Sequence, residues 1–427
     1  MESARDVVIT GIGVLSPIGI GSAAFWASLI EGRSGVCSLG WFDQSDRPSP
    51  PGGLVPDFDP ARYVRPRKAL KVMSRDIQLA VAAADLACTE AGLAQGAPDP
   101  DRFGVVFGAD MIAVELGELA GAYRACMVDG RFEFGRWGQR AMSDLFPLWM
   151  LKYLPNMPAC HVGILHDARG PNNTLTMAEA SSLAALAEAY EIIRRGQADV
   201  ILAGGASSRI HPMVYVRNAG RQTSQRHADP AGACRPFDAD RDGMVHGEGA
   251  AVFALESRQH AESRGAGGRV LARVLAGTCT FRPPHADGTV RGEAIRGAIL
   301  TALAAARLGP SDLGHVNAHG LGTTLDDERE AEAIRETLGD VPVTAPKSCF
   351  GNLGAATGAV ELAASVLGLG QGLIPPTRNY HRPDPRCPVR VVHGQAQAAE
   401  RPTVLALNHA ASGQAAAMVL AGPAPRT

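Results

Sequence analysis

Three observations predict an α/β protein. Short runs of β-branched and apolar residues alternate with longer runs of helical periodicity. Apolar residues make up 46% of the 427 positions, an ordinary share for a chain that buries a core. Gly 49 and Pro 29 are spread along the chain as turn punctuation, not gathered into low-complexity tracts.

The elements follow in order. Val7-Val8-Ile9-Thr10 opens the chain as a strand over 7–10. Further strands are expected over 103–107, 200–203, 250–255, 270–276, 316–318 and 403–407, each a short apolar run. Helices are expected over 22–31, 74–91, 179–195, 292–306, 327–338 and 353–369. The second of these has Ser74 as a good N-cap, and Gly92 stops it. The Pro- and Gly-rich stretch 40–66 reads as a surface excursion, and 209–242 as loop-rich. No linker breaks the alternation, so two halves of one composite domain are expected, 1–267 with loop insertions and 268–427.

Composition excludes several classes. With 41 basic and 43 acidic side chains the net charge is −2, which leaves no footprint for nucleic acid or an anionic membrane. Eight cysteines without a CxxC pair argue against a disulfide framework or a zinc ribbon. No apolar run reaches the ~20 residues of a bilayer span, and the first residues lack a signal-peptide pattern. A cytoplasmic, reduced protein is expected.

Two motifs read as structural. Gly11-Ile12-Gly13-Val14-Leu15-Ser16 lacks the third glycine of a dinucleotide fingerprint, and Pro17 with Gly19 and Gly21 breaks the helix that a pyrophosphate needs; a tight turn after a buried strand is expected. Cys160, His161 and His166, and His315 with His319, lack the convergent partners of a metal site, so no metal is expected.

The informative stretch runs from Gly170 through Thr176-Met177-Ala178-Glu179-Ala180-Ser181-Ser182. Such a sharp entry into a helix is where enzymes display a nucleophile. Here the chain resembles the β-ketoacyl-acyl-carrier-protein synthases, whose T-A-C-A-S-S motif carries an acyl-accepting cysteine; Glu179 occupies its place. Arg235-Pro236-Phe237-Asp238-Ala239-Asp240-Arg241-Asp242-Gly243, with Gly247-Glu248-Gly249-Ala250, resembles a second family signature. Asn317-Ala318-His319-Gly320-Leu321-Gly322-Thr323 is similar to N-A-H-G-T-G-T, and Lys347-Ser348-Cys349-Phe350-Gly351-Asn352 to K-S-x-x-G-H. The resemblance spans nearly the whole chain. It implies a thiolase-like five-layered sandwich of two similar α/β halves, assembled as a dimer.

The resemblance also assigns the candidate site. Glu179 replaces the nucleophile, His319 keeps the first catalytic histidine and Asn352 replaces the second. Lys347 and Glu361 fit a buried structural ion pair. Leu321 and Thr323 fall where the family contacts the phosphopantetheine arm, and Ala410 and Ser412 in its gating segment, with Ala410 in place of a phenylalanine. No bound cofactor is implied; the phosphopantetheine arm of an acyl carrier protein brings the substrate. Glu179 is either ionised by the helix N-terminus or His319, or kept neutral by desolvation; a structural Glu179–His319 bond is the expectation placed first. Cys349 is the cysteine expected nearest the site, as a buried free thiol.

Three functions follow, in rank order. The first is a chain-length-factor-like subunit paired with a cysteine-bearing ketosynthase, in type II fatty acid or polyketide synthesis. The second is changed chemistry, a malonyl-carrier decarboxylase or an acyl transferase or cyclase, with Glu179 as base and His319 and Asn352 as donors. The third is an ordinary condensing synthase. Heterodimer and homodimer both remain open, with no nucleic-acid or membrane partner.

Overall fold

The computed structural model describes residues 5–41, 48–93, 98–286 and 290–423. Its main sheet runs through both halves of the chain. In the first half the order is Val7–Ser16, His246–Ser257, Val200–Ser208, Phe103–Gly108, Asn172–Leu175. In the second it is Ala272–Phe281, Gln414–Ala421, Thr403–His409, His315–Asn317, Pro342–Thr344, with Arg390–Val391 beyond. Each half thus sets its first long strand beside its last, then the penultimate, second and third. The halves join where Val7–Ile9 pairs antiparallel with Ala272–Val274.

Among the described residues, three large apolar cores separate the layers. The central one lies between the two sheet halves and is built on the helices Ser181–Arg194 and Thr357–Gln371, through residues such as Leu183, Leu186, Val360 and Leu362. An outer core packs Arg75–Ala91 and Met157–His166 on the first half. The other outer core packs Gly292–Ala306 and Thr324–Leu338 on the second. Helices, sheet, helices, sheet and helices make the five-layered thiolase-like sandwich. The central helices are rich in small residues and come close: Ser182 Oγ accepts from the Ala359 N–H at 2.9 Å, and a Cβ on Gly358 would lie 3.0 Å from Leu183 Cβ.

Several expectations are corrected. The Gly11–Ser16 segment is not a turn, because the first strand continues to Ser16 and turns only at Pro17. Its glycines are there for packing: a Cβ on Gly11 would stand 2.4 Å from Ala87 O, and one on Gly13 only 1.8 Å from Ala83 O. The strand therefore lies directly against the backbone of the helix Arg75–Ala91. The 40–66 stretch is not wholly a surface excursion either. Pro51–Gly53 is a buried strand paired with Val36–Ser38 and with His246–Gly247, while 42–47 fall outside the described residues. The expected helices 179–195 and 353–369 each begin with a 3-10 turn, Ala178–Ala180 and Gly354–Ala356. Strands Asn172–Leu175, Pro342–Thr344 and Gln414–Ala421, and helices Leu116–Ala125, Trp137–Asp144 and Met157–His166, are additional to the expected elements.

Candidate active site

Glu179 reaches its place through a forced turn. Ala178 has φ 48°, a left-handed conformation that is uncommon for a residue with a Cβ. Ser181 Oγ stabilises that turn, donating to Ala178 O at 2.7 Å and accepting from the Met177 N–H at 2.7 Å. The result buries the Glu179 side chain at the start of the helix Ser181–Arg194.

Its partners differ from those expected. Glu179 Oε1 accepts from Arg209 Nη1 at 2.7 Å, Asn352 Nδ2 at 3.2 Å and Arg221 Nη1 at 3.5 Å. No hydrogen bond to His319 is among them. Burial alone would push the carboxyl toward its neutral form, but the Arg209 and Arg221 charges outweigh it and hold Glu179 well below the usual carboxylate range. The neutral-acid alternative is therefore corrected: Glu179 is an ionised, paired carboxylate. Paired with two guanidinium groups, Glu179 is a weaker proton acceptor than a free carboxylate.

Asn352 is fixed by its oxygen. Oδ1 accepts from the Gly354 N–H and Thr357 Oγ1, both at 3.1 Å, and this turns Nδ2 toward Glu179. His319 stands on a separate chain of contacts. Lys347 Nζ lies 3.2 Å from His319 Nδ1 and 2.5 Å from Glu361 Oε1, and Asn408 Nδ2 donates to Glu361 Oε2 at 2.7 Å. An ammonium can only donate, so His319 Nδ1 accepts and the imidazole proton sits on Nε2. Burial, and then the Lys347 charge, hold His319 well below its ordinary pKa, so the ring is neutral. Burial raises the Glu361 carboxyl to about 7 against the pull of Lys347.

The loop after His319 is pinned from the helix Thr324–Leu338. Glu330 accepts from the His319 and Gly320 N–H groups at 2.7 Å each, and Asp327 from the Gly322 N–H at 2.9 Å. Leu321 and Thr323 are buried in this loop, with Thr323 Oγ1 donating to Asp326 at 2.9 Å. Ala410 is buried at the end of the strand Thr403–His409, whereas Ser412 is exposed and donates to Gln414 at 2.6 Å. His409, the last residue of that strand, stacks edge-on against His319 at 4.4 Å between ring centres.

Among the described residues no cysteine is hydrogen-bonded to Glu179, His319 or Asn352. Burial pushes the Cys349 thiol up to about 11, and it ends a 3-10 turn instead of opening a helix. Cys279 Sγ is 3.9 Å from Met177 Sδ, on a strand whose position next to the Glu179 turn gave no sequence signal. Sequence reasoning also missed Arg209 and Arg221. The only available sign was an arginine directly after the buried run 200–208. No group of three or more His, Cys, Asp or Glu side chains that could hold a metal is present among the described residues. No helix of the described residues is long and apolar enough to cross a membrane.

Comparison with known proteins identifies the family. Residues 4–261 match the model of the β-ketoacyl synthase N-terminal domain, and 274–381 that of the C-terminal domain. The chain is 37% identical over 431 residues to the tetracenomycin polyketide synthase ketoacyl synthase alpha subunit of Streptomyces glaucescens, covering 98% of this chain and 97% of that one. The ishigamide ketosynthase/chain length factor superimposes with a TM-score of 0.83 at 29% identity, over 98% of this chain and all (100%) of the other. A type II PKS acyl-carrier protein in complex with its ketosynthase, bound to the hexaketide, gives 0.85 at 27%, over 98% and 100%.

Proposed function

The chain belongs to the β-ketoacyl synthase family, as a ketosynthase-like subunit of the type II polyketide kind, and we propose that it serves as the non-condensing partner of a cysteine-bearing ketosynthase. One observation carries this reading. The position that accepts the acyl group in the family holds a buried, ionised glutamate already committed to Arg209. A carboxylate cannot form the thioester, and its one well-placed ion pair would have to break before it attacked anything. In this reading an acyl carrier protein presents the growing chain on its phosphopantetheine arm to the partner's cysteine. The pair works in the cytoplasm. Lys347 and Glu361 then serve the scaffold, holding His319 in place.

Partner pairing has a surface to use. The strand Asn172–Leu175 ends the first half of the sheet and has Phe103–Gly108 as its one neighbour among the described strands. An unpaired strand edge is a template for a strand of another chain. The homodimer is the competing use of the same edge. Co-expression with a cysteine-bearing ketosynthase separates them, the expected product being a stable heterodimer that extends acyl-carrier substrates. Extension by this chain alone, abolished by Glu179→Gln, would sink the proposal.

A malonyl-carrier decarboxylase is the second reading, favoured by the neutral His319 with its Nε2 proton, and by the Asn352 amide once it is released from Glu179 Oε1. Two such donors suit a developing enolate oxygen. Acetyl-carrier product from malonyl-carrier protein, seen by mass spectrometry, is its signature.

A further inference from the structure

We propose that Arg209 is the residue that keeps acyl chains out of this chain's own pocket, and that Arg209 and Glu179 act in this as a pair. The inference rests on the partner-subunit reading and deepens it, naming the side chain that enforces it. Arg209 leaves the end of the strand Val200–Ser208 and turns inward, with only 6% of its side chain exposed. Its guanidinium spans from Glu179 Oε1 at 2.7 Å to Asp110 Oδ2 at 3.4 Å. Asp110 follows the parallel neighbouring strand Phe103–Gly108, so the group bridges two strand ends and the entry of the helix Ser181–Arg194.

The space is filled as well as charged. A Cβ on Gly354 would stand 2.5 Å from Arg209 Nε, which means that the arginine lies directly on the turn after Asn352. Arg221 supplies a second cation at 3.5 Å. The Glu179 side chain itself points into this cluster, so a group carried by residue 179 would extend there too. A long alkyl chain would have to separate buried opposite charges without hydrating them, which is unfavourable. Replacing Glu179 alone leaves Arg209 in place, still held by Asp110. Restoring a thiol therefore does not by itself reopen the pocket.

The test uses E179C and E179C/R209A in the full chain, each treated with acetyl and octanoyl N-acetylcysteamine thioesters and weighed by mass spectrometry. In the transfer the cysteine sulfur attacks the thioester carbonyl, the bond to the leaving sulfur breaks, and the leaving thiol takes the proton that the cysteine gave up. Iodoacetamide alkylation normalises thiol reactivity, which the arginine charge also affects. Both variants are expected to take acetyl, and E179C/R209A to raise the octanoyl-to-acetyl ratio about tenfold over E179C. E179C/R209Q, which keeps the polar fill without the charge, is expected to raise it in the same direction. Equal ratios in all three proteins, or no octanoyl loading by any, overturn the proposal. Failure of the partner-subunit reading looks different, since it appears as condensation by the unaltered chain alone.

Discussion

Removing one member of the Glu179–Arg209 pair strands the charge of the other in a buried site, and the energetic consequence is asymmetric. Arg209→Ala is expected to cost about 3–5 kcal/mol in urea unfolding at pH 7, less whatever Arg221 and Asn352 recover. The double change Glu179→Gln with Arg209→Ala is expected to cost less than the sum of the two. The pH dependence has a definite sign. Glu179 has a lowered folded pKa, so its stabilisation is present above the unfolded carboxyl value near ~4.3 and is lost only as the pH falls through the folded value. The difference between the wild type and Glu179→Gln is therefore expected to be flat from pH 5 to 8 and to shrink in strong acid. The seat of Glu179 was legible because a motif on either side fixed it. Arg209 was not, since an arginine after a strand can turn outward to water or inward to a carboxylate, and only tertiary packing decides.

At the scale of elements, close backbone contact and one buried carboxyl make separate predictions. Gly13→Ala would drive a Cβ to 1.8 Å from Ala83 O, so the strand and the helix Arg75–Ala91 cannot both keep their places. A loss of at least ~3 kcal/mol of unfolding free energy in urea titration is expected, at the upper end for overpacking. Asp76, in the first turn of the same helix, accepts from the Ser208 N–H at 2.9 Å, and burial raises its carboxyl to about 7. Its neutral form is the favoured one in the folded state, so stability falls as the pH rises from the unfolded value near ~4 toward 7. Asp76→Asn keeps the acceptor without titrating. The wild type is therefore expected to lose up to about 4 kcal/mol relative to it between pH 4 and 8. Most long elements were legible from apolar runs and caps, as Ser74 and Gly92 show at the two ends of this helix. Gln414–Ala421 escaped because its alanines carry no strand preference, and Asn172–Leu175 because three polar residues before one leucine show no alternation. The glycines of the first strand were misread for a related reason, since their role is set by a helix about seventy residues away.

At the scale of the whole molecule, the strand Asn172–Leu175 closes one end of the main sheet, and its use can be tested without disturbing the core. Thr174 gives its N–H to Asn173 Oδ1 at 2.8 Å, so that group is not needed by the ladder to Phe103–Gly108. Thr174→Pro is accordingly expected to leave the monomer folded and to abolish co-purification with the partner ketosynthase, as judged by size-exclusion chromatography. A heterodimer that survives the change would place the contact elsewhere. The duplicated architecture was legible through the motifs, which bracket both halves. Pairing is less so, because which chain completes a strand edge is written in the other chain.

The central claim is that this chain shapes condensation without carrying the acyl group. The most direct measurement is to load the purified heterodimer from an acyl-carrier thioester and weigh each subunit intact. The account predicts the added acyl mass on the cysteine-bearing partner and none on this chain. An acyl mass on this chain, mapped to Glu179 or to any of its cysteines, would contradict it.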